Sequence, residues 1–169
     1  MEFYEVLKKR RSIRKYKKAP VEQDKIDRIL EAVRIAPSAA NFQPWHFIVI
    51  KDESVKLALK EAYGREWFYT APLIICACGE PAKAWVRRDK RNYVDVDVAI
   101  AFEHLVLAAA AEGLGTCWVG AFDPAVVRRV LGLPDGIEPI AMTPIGFPDE
   151  TPRPLSRKST AEIVRRDRW

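Results

Sequence analysis

The stretch from Val94 to Leu114 constrains this chain more than any other, because it reads as a long helix that is apolar nearly all round. A helix with no polar face must be buried on every side. A chain of 169 residues offers about one ordinary core. Complete burial of such a helix in so small a protein is hard to achieve alone, so the economical expectation is a second copy, a homodimer. A membrane span is not expected, because Asp95, Asp97, Glu103, His104 and Glu112 place too many polar groups in the run. With 49% hydrophobic and 30% charged residues, the chain is neither disordered nor fibrous, and no internal repeat is visible.

The remaining pattern alternates helices and strands. Phe3-Tyr4 and Val6-Leu7 predict a short amphipathic helix ending near Arg10 to Ser12. Ile26, Ile29-Leu30 and Val33 repeat at helical spacing, with Glu22 and Asp24 in the first turn and Pro37 as the stop. A polar loop, Ser38 to Pro44, runs into a predicted buried strand, Trp45 to Ile50. Val55, Leu59 and Ala62 mark a short helix, and Leu73 to Cys78 a second buried strand. Gly79 to Asn92 is charged and reads as an exposed loop or lid. After the long helix come a strand at Thr116 to Val119, a helix at Pro124 to Leu131 and a strand at Pro139 to Phe147. An extended Pro-rich arm follows, then a short basic helix near Ala161. This order is mixed α+β, read as one domain over 1–169 with 147–169 as the arm.

The net charge of +5 is unevenly spread. Residues 1–18 carry +6 and residues 153–169 carry +4, while everything between sums to −5. Disordered basic tails would suit a nucleic-acid-binding module. The ends also hold Phe3, Tyr4, Ile13, Leu155 and Ile163, however, so two ordered basic ends converging on one small anion is the sharper reading. Met1 to Lys18 lacks the apolar segment of a secretory leader, which predicts a cytoplasmic location. Cys76, Cys78 and Cys117 lie in apolar runs and are expected as free, buried thiols with no zinc site. His46 and His104 are expected to be structural, leaving no catalytic triad. Asp95 and Asp97 are accounted for by the helix dipole.

Three segments can carry chemistry. Arg10-Arg11-Ser12-Ile13-Arg14 places guanidinium groups around a hydroxyl, a phosphate cradle. Pro37-Ser38-Ala39-Ala40-Asn41-Phe42-Gln43-Pro44-Trp45 is a rigid loop whose polar groups suit the amide-like edge of a planar heterocycle. Gly113-Leu114-Gly115-Thr116-Cys117-Trp118-Val119-Gly120 ends a strand where backbone could approach a ligand closely. Neither a dinucleotide fingerprint nor a Walker loop is present.

In this order, and with a basic C-terminal arm, these motifs resemble the nitroreductase family of flavin mononucleotide (FMN) enzymes, over essentially the whole chain. The resemblance implies a three-layer α+β fold with a central, mostly antiparallel sheet flanked by helices, and a homodimer with exchanged C-terminal arms. It implies non-covalent FMN at two interface sites, NAD(P)H as co-substrate and a small-molecule electron acceptor such as a nitroaromatic or quinone, with no nucleic-acid or membrane partner. By matching position, Arg10, Ser12 and Arg14, within the Arg10–Arg14 run that includes Arg11, would hold the phosphate and ribityl chain, joined by Arg157 from the arm. Pro37, Ser38 and Asn41 would meet the flavin from the other subunit, and a backbone N–H of Gly120 or Ala121 would face its hydride-accepting nitrogen, N5. No side chain is assigned a catalytic role. Ala39 and Gly120 depart from relatives carrying Ser and Glu, and Arg65-Glu66 stand where many have an amide. The family also contains reductive dehalogenases and ring-cleaving enzymes that make a benzimidazole, which usually have longer lids than Gly79 to Asn92.

Overall fold

The computed structural model describes residues 2–152 and 154–169; Arg153, counted above with the basic arm, lies outside the described residues. The fold is α+β, a four-stranded sheet between two helical layers. Its helices are α1 (Phe3–Lys9), α2 (Gln23–Arg34), α3 (Glu53–Ala58), α4 (Glu66–Tyr69), α5 (Val94–Ala111), α6 (Pro124–Leu131) and α7 (Thr160–Ile163). Its strands are β1 (Trp45–Ile50), β2 (Leu73–Gly79), β3 (Gly115–Thr116) and β4 (Glu138–Gly146), in the order β1-β2-β4-β3 with every neighbouring pair antiparallel.

The alternation of side chains along β2 builds two cores from one strand. Leu73, Ile75 and Ala77 face α5 and α2, packing with Val98, Ala101, Phe102, Leu105, Ile26 and Ile29. Ile74, Cys76 and Cys78 face the opposite layer, with Phe68, Leu59, Val127 and Met142. All seven β2 residues are buried, as a central strand covered on both faces requires. The three cysteines are free and buried. Lys56 is buried beside the second core, its ammonium donating to the carbonyl of Ala71 and to Glu53, which ties α3 to the start of β2.

Two strands differ from expectation. Trp45 to Ile50 is not buried; it is an edge strand in which only Ile50 is fully covered and His46 is exposed, bonding Glu80 at 3.3 Å. An edge strand pairs on one side only, so its apolar residues can sit half-covered. The strand expected at Thr116 to Val119 shrinks to Gly115–Thr116, because the Cys117 N–H donates to the Thr143 hydroxyl instead of a ladder carbonyl. Pairing resumes only at Val119, which exchanges both bonds with Met142.

Helix α5 is shorter than the apolar run. It ends at Ala111, where Gly113 takes φ +77° and the Leu114 N–H reaches back to the Ala109 carbonyl. Buried residues face the sheet and α2, while Val96, Ile100, Leu107 and Ala108 on the opposite side are only partly covered. An apolar groove of about 340 Å³ lies there, lined by Phe3, Val6, Ala32, His104, Leu107, Ala108 and Ala111. The His104 ring lies 3.1 Å from the Ala32 carbonyl.

Gly115 fixes where the arginine-rich segment runs. A Cβ there would lie 2.8 Å from the Ile13 side chain, so only glycine lets that segment close on β3. The Ile13 N–H then donates to the Thr116 carbonyl at 2.8 Å. Gly115→Ala is expected to destabilise the protein by about 1–3 kcal/mol through overpacking, read as a lower urea midpoint at unchanged slope.

Candidate active site

The Arg10–Arg14 run leaves α1 in extended conformation and is stitched to both β3 and the chain's last third. Ser12 bridges Thr116 in parallel, Tyr16 bridges Pro148, and the Asp149 N–H donates to the Lys15 carbonyl. The Glu150 carboxylate accepts the backbone N–H of Arg14. Tyr16 is half-buried, donates its hydroxyl to the Ile13 carbonyl, and has its pKa pushed far above the ordinary value, by burial first. These bonds hold the backbone and engage no guanidinium group.

The structure places Arg11, Ser12 and Arg14 around one cavity and Arg10, Arg11 and Arg157 around another. A cavity of about 440 Å³ is lined by Arg11, Ser12, Arg14, Glu150, Thr151, Pro152 and Leu155. An adjoining one of about 290 Å³ is lined by Leu7, Lys8, Arg10, Arg11, Leu155 and Arg157. Among the described residues, none of Arg10, Arg11, Arg14 and Arg157 forms a salt bridge. Arg11 is nonetheless partly committed, one nitrogen donating to the carbonyls of Lys8 and Arg10. Arg14 lies 5.9 Å from the centre of the Trp67 ring, a contact between residues with no pattern linking them in the sequence. Burial pushes the Cys117 thiol up, with Arg14 and Ser12 opposing it.

The Pro37–Pro44 loop lies elsewhere in the chain. Its Ala39 N–H donates to Asp97 near the start of α5, whereas Arg10 shares a small cavity with Ala110 and Leu114 at the other end. At 1.5 Å per residue, Asp97 and Ala110 are about 20 Å apart along α5. One chain therefore presents the two motifs at opposite ends of one helix, not around a single point. Within the loop, Ser38 Oγ accepts from the Gln43 N–H and Asn41 Oδ1 from Gln43 Nε2. What remains to meet a ligand is the Ser38 hydroxyl proton and the Asn41 amide nitrogen, both donors.

Gly120 and Ala121 are exposed, just past the Val119 bridge. Neither N–H makes a hydrogen bond among the described residues. A Cβ on Gly120 would meet nothing closer than the Trp118 ring nitrogen at 3.8 Å, so the surface before these donors is open. Trp118 is 43% exposed and rests edge-on against Phe102, 4.2 Å between ring centres.

The segment Gly79 to Asn92 carries two adjacent arginines, Arg87 and Arg88. Arg87 is spoken for, bidentate to Asp89 and bonded to the Tyr93 hydroxyl, while Arg88 is exposed.

The sequence matches the Nitroreductase family over residues 7–63 and 54–147, which together span both motifs and the whole sheet. The chain belongs to the nitroreductase family. Within it, a nitroreductase family protein from Clostridium difficile 630 superposes with a TM-score of 0.91 at 35% identity, each chain covered in full. An FMN-dependent nitroreductase from Clostridium difficile R20291 gives 0.84 at 29% identity, covering 97% of this chain and 98% of that one. An NADH dehydrogenase of Thermus thermophilus is 31% identical, covering 92% of this chain and 91% of its own length. Among the described residues, no helix is long and apolar enough to cross a membrane.

Proposed function

We propose that this nitroreductase is an FMN-dependent NAD(P)H oxidoreductase that reduces small electron acceptors such as nitroaromatics or quinones by ping-pong turnover, acting as a homodimer. The observation that carries this reading is the group Arg10, Arg14 and Arg157, which form no salt bridge among the described residues and line two adjoining cavities, the one at Arg14 shared with Ser12 and Glu150. Gathering so much positive charge in one place costs self-repulsion, which a dianionic phosphate relieves.

The residues present fit FMN. Arg10, Arg14 and Arg157 would hold its phosphate with Ser12, and Arg11, already bonded to two carbonyls, would contribute mainly charge. The Ser38 hydroxyl and Asn41 amide would donate to the acceptor edge of the flavin ring. Gly120 or Ala121 would offer an unused N–H to N5. FMN, when bound, would supply the redox chemistry between NAD(P)H and the acceptor. The chain's part is to bind, orient and tune, which suits a site where no side chain is assigned acid or base work. Because the two motifs lie at opposite ends of α5, a site that uses both draws one from each of two subunits. The half-covered apolar side of α5 supports the same dimer.

The test is the visible spectrum of the purified protein given excess FMN, followed by addition of NADH or NADPH under nitrogen. Uptake of yellow cofactor that loses its colour with either nucleotide is expected; a protein that takes up no FMN ends the proposal. With a quinone acceptor, double-reciprocal plots should be parallel, and intersecting lines would instead indicate a ternary complex.

A further inference from the structure

Asp95 and Asp97 sit in the first turns of the same helix, and the helix dipole accounts for only one of them. Asp95 is exposed, where a carboxylate serves a helix N-terminus well. Asp97 is 1% exposed. Its Oδ1 accepts the Ala39 N–H at 2.9 Å, and its Oδ2 is buried without a hydrogen-bond partner among the described residues. Burying a carboxylate with one oxygen unsatisfied is costly, more than a dipole interaction available at the surface would repay.

The segment that Asp97 grips is itself unfavourable. Ala40, Asn41 and Gln43 have φ of +52°, +57° and +51°, the left-handed region, and no glycine lies between Pro37 and Pro44 to relieve them. Such conformations persist only where surrounding structure over-determines them, and they gather at ligand sites. Inside the loop, Asn41 and Phe42 donate to the carbonyls of Ser38 and Ala39, and Ser38 Oγ holds Gln43. These bonds shape the turn, but they do not anchor it to the rest of the protein. The Ala39 bond to Asp97 ties the loop to α5.

We propose that Asp97 is a positioning residue, which keeps the Ser38–Gln43 loop in its strained form so that the Ser38 hydroxyl and Asn41 amide are aimed before the flavin arrives. This rests on the function proposed above for the same site, and it assigns Asp97 no contact with cofactor or substrate. The expected signature is a separation of function from stability. Removing the carboxylate frees the loop while also removing an unsatisfied buried oxygen, so binding suffers and the global fold does not.

The test uses the full chain with and without FMN. In FMN-free protein, Asp97→Ala should speed amide exchange at residues 39–43 by about tenfold, as loss of one hydrogen bond to a charged group predicts, leaving β1 and the rest of α5 unchanged. FMN affinity should fall by a similar factor, with the urea midpoint not lowered. Asp97→Asn, which retains an oxygen to accept from Ala39, should stay close to wild type in both measurements, and Asp95→Ala should change neither. Unchanged loop exchange in Asp97→Ala would overturn the proposal. So would faster exchange throughout α5 with a lowered midpoint, unaltered FMN affinity despite a freed loop, or an Asn variant as impaired as Ala. If the wild-type protein takes up no FMN, the functional reading fails and the proposed role in binding falls with it, whereas the exchange data separately decide whether Asp97 holds the loop.

Discussion

Replacing Arg10 and Arg14 together with alanine is expected to weaken FMN binding by about 3–6 kcal/mol, a loss of roughly 10²- to 10⁴-fold in affinity. Each guanidinium would contribute about 1.5–3 kcal/mol as a charge-assisted hydrogen bond to phosphate, and neither is diverted to a salt bridge among the described residues. The two losses need not add, because neighbours on one anion are coupled. Arg11→Ala is the internal control. Its guanidinium already donates to the carbonyls of Lys8 and Arg10, so its removal should cost clearly less. Fluorescence titration of FMN into each variant reads these differences directly. Equal, small losses at Arg10, Arg11 and Arg14 would instead describe a solvated basic helix end.

The second large effect concerns how the site is divided between subunits. Two variants, Arg10→Ala/Arg14→Ala and Ser38→Ala/Asn41→Ala, should each bind FMN poorly. Refolded together at equal amounts, about half of the resulting dimers are mixed if pairing is random and two-fold. In a mixed dimer one site collects all four substitutions. The other takes its arginines from the second variant and its loop from the first, and is wild type. About a quarter of all sites should therefore regain FMN and activity. No recovery, with mixed dimers shown to form by mass spectrometry, would mean that each chain completes its own site.

The two motifs proposed to face the flavin were legible in the sequence because each is local. Arg10 to Arg14 and Pro37 to Trp45 carry their residue types in short runs, and α5 announced itself by composition alone. What was not legible depends on contacts between distant residues. Asp97 looked like a second helix-dipole carboxylate, and only the approach of Ala39, 58 positions away in the chain, reveals its burial and its bond. Trp67 carries no signal linking it to Arg14. The edge position of β1 was hidden because a half-covered strand rich in Ile and Val reads as a buried one. The shortening of β3 was hidden too, because it turns on one hydroxyl, Thr143, intercepting the Cys117 N–H.

The stitching of the arginine run also orders events in time. Ser12 is paired with Thr116, Tyr16 with Pro148, and the Arg14 N–H with Glu150, 136 residues further on. Closing a loop of that length carries an entropy cost on the order of 4 kcal/mol, which these few bonds meet only once the sheet between them has formed. During synthesis the arginines emerge well before Glu150, so the Arg14 bond awaits a residue 136 positions further on. A nascent chain interrupted before that point has every cation of the Arg10–Arg14 run and no cradle. The Arg10–Arg14 run is thereby set in place only after the sheet that carries it.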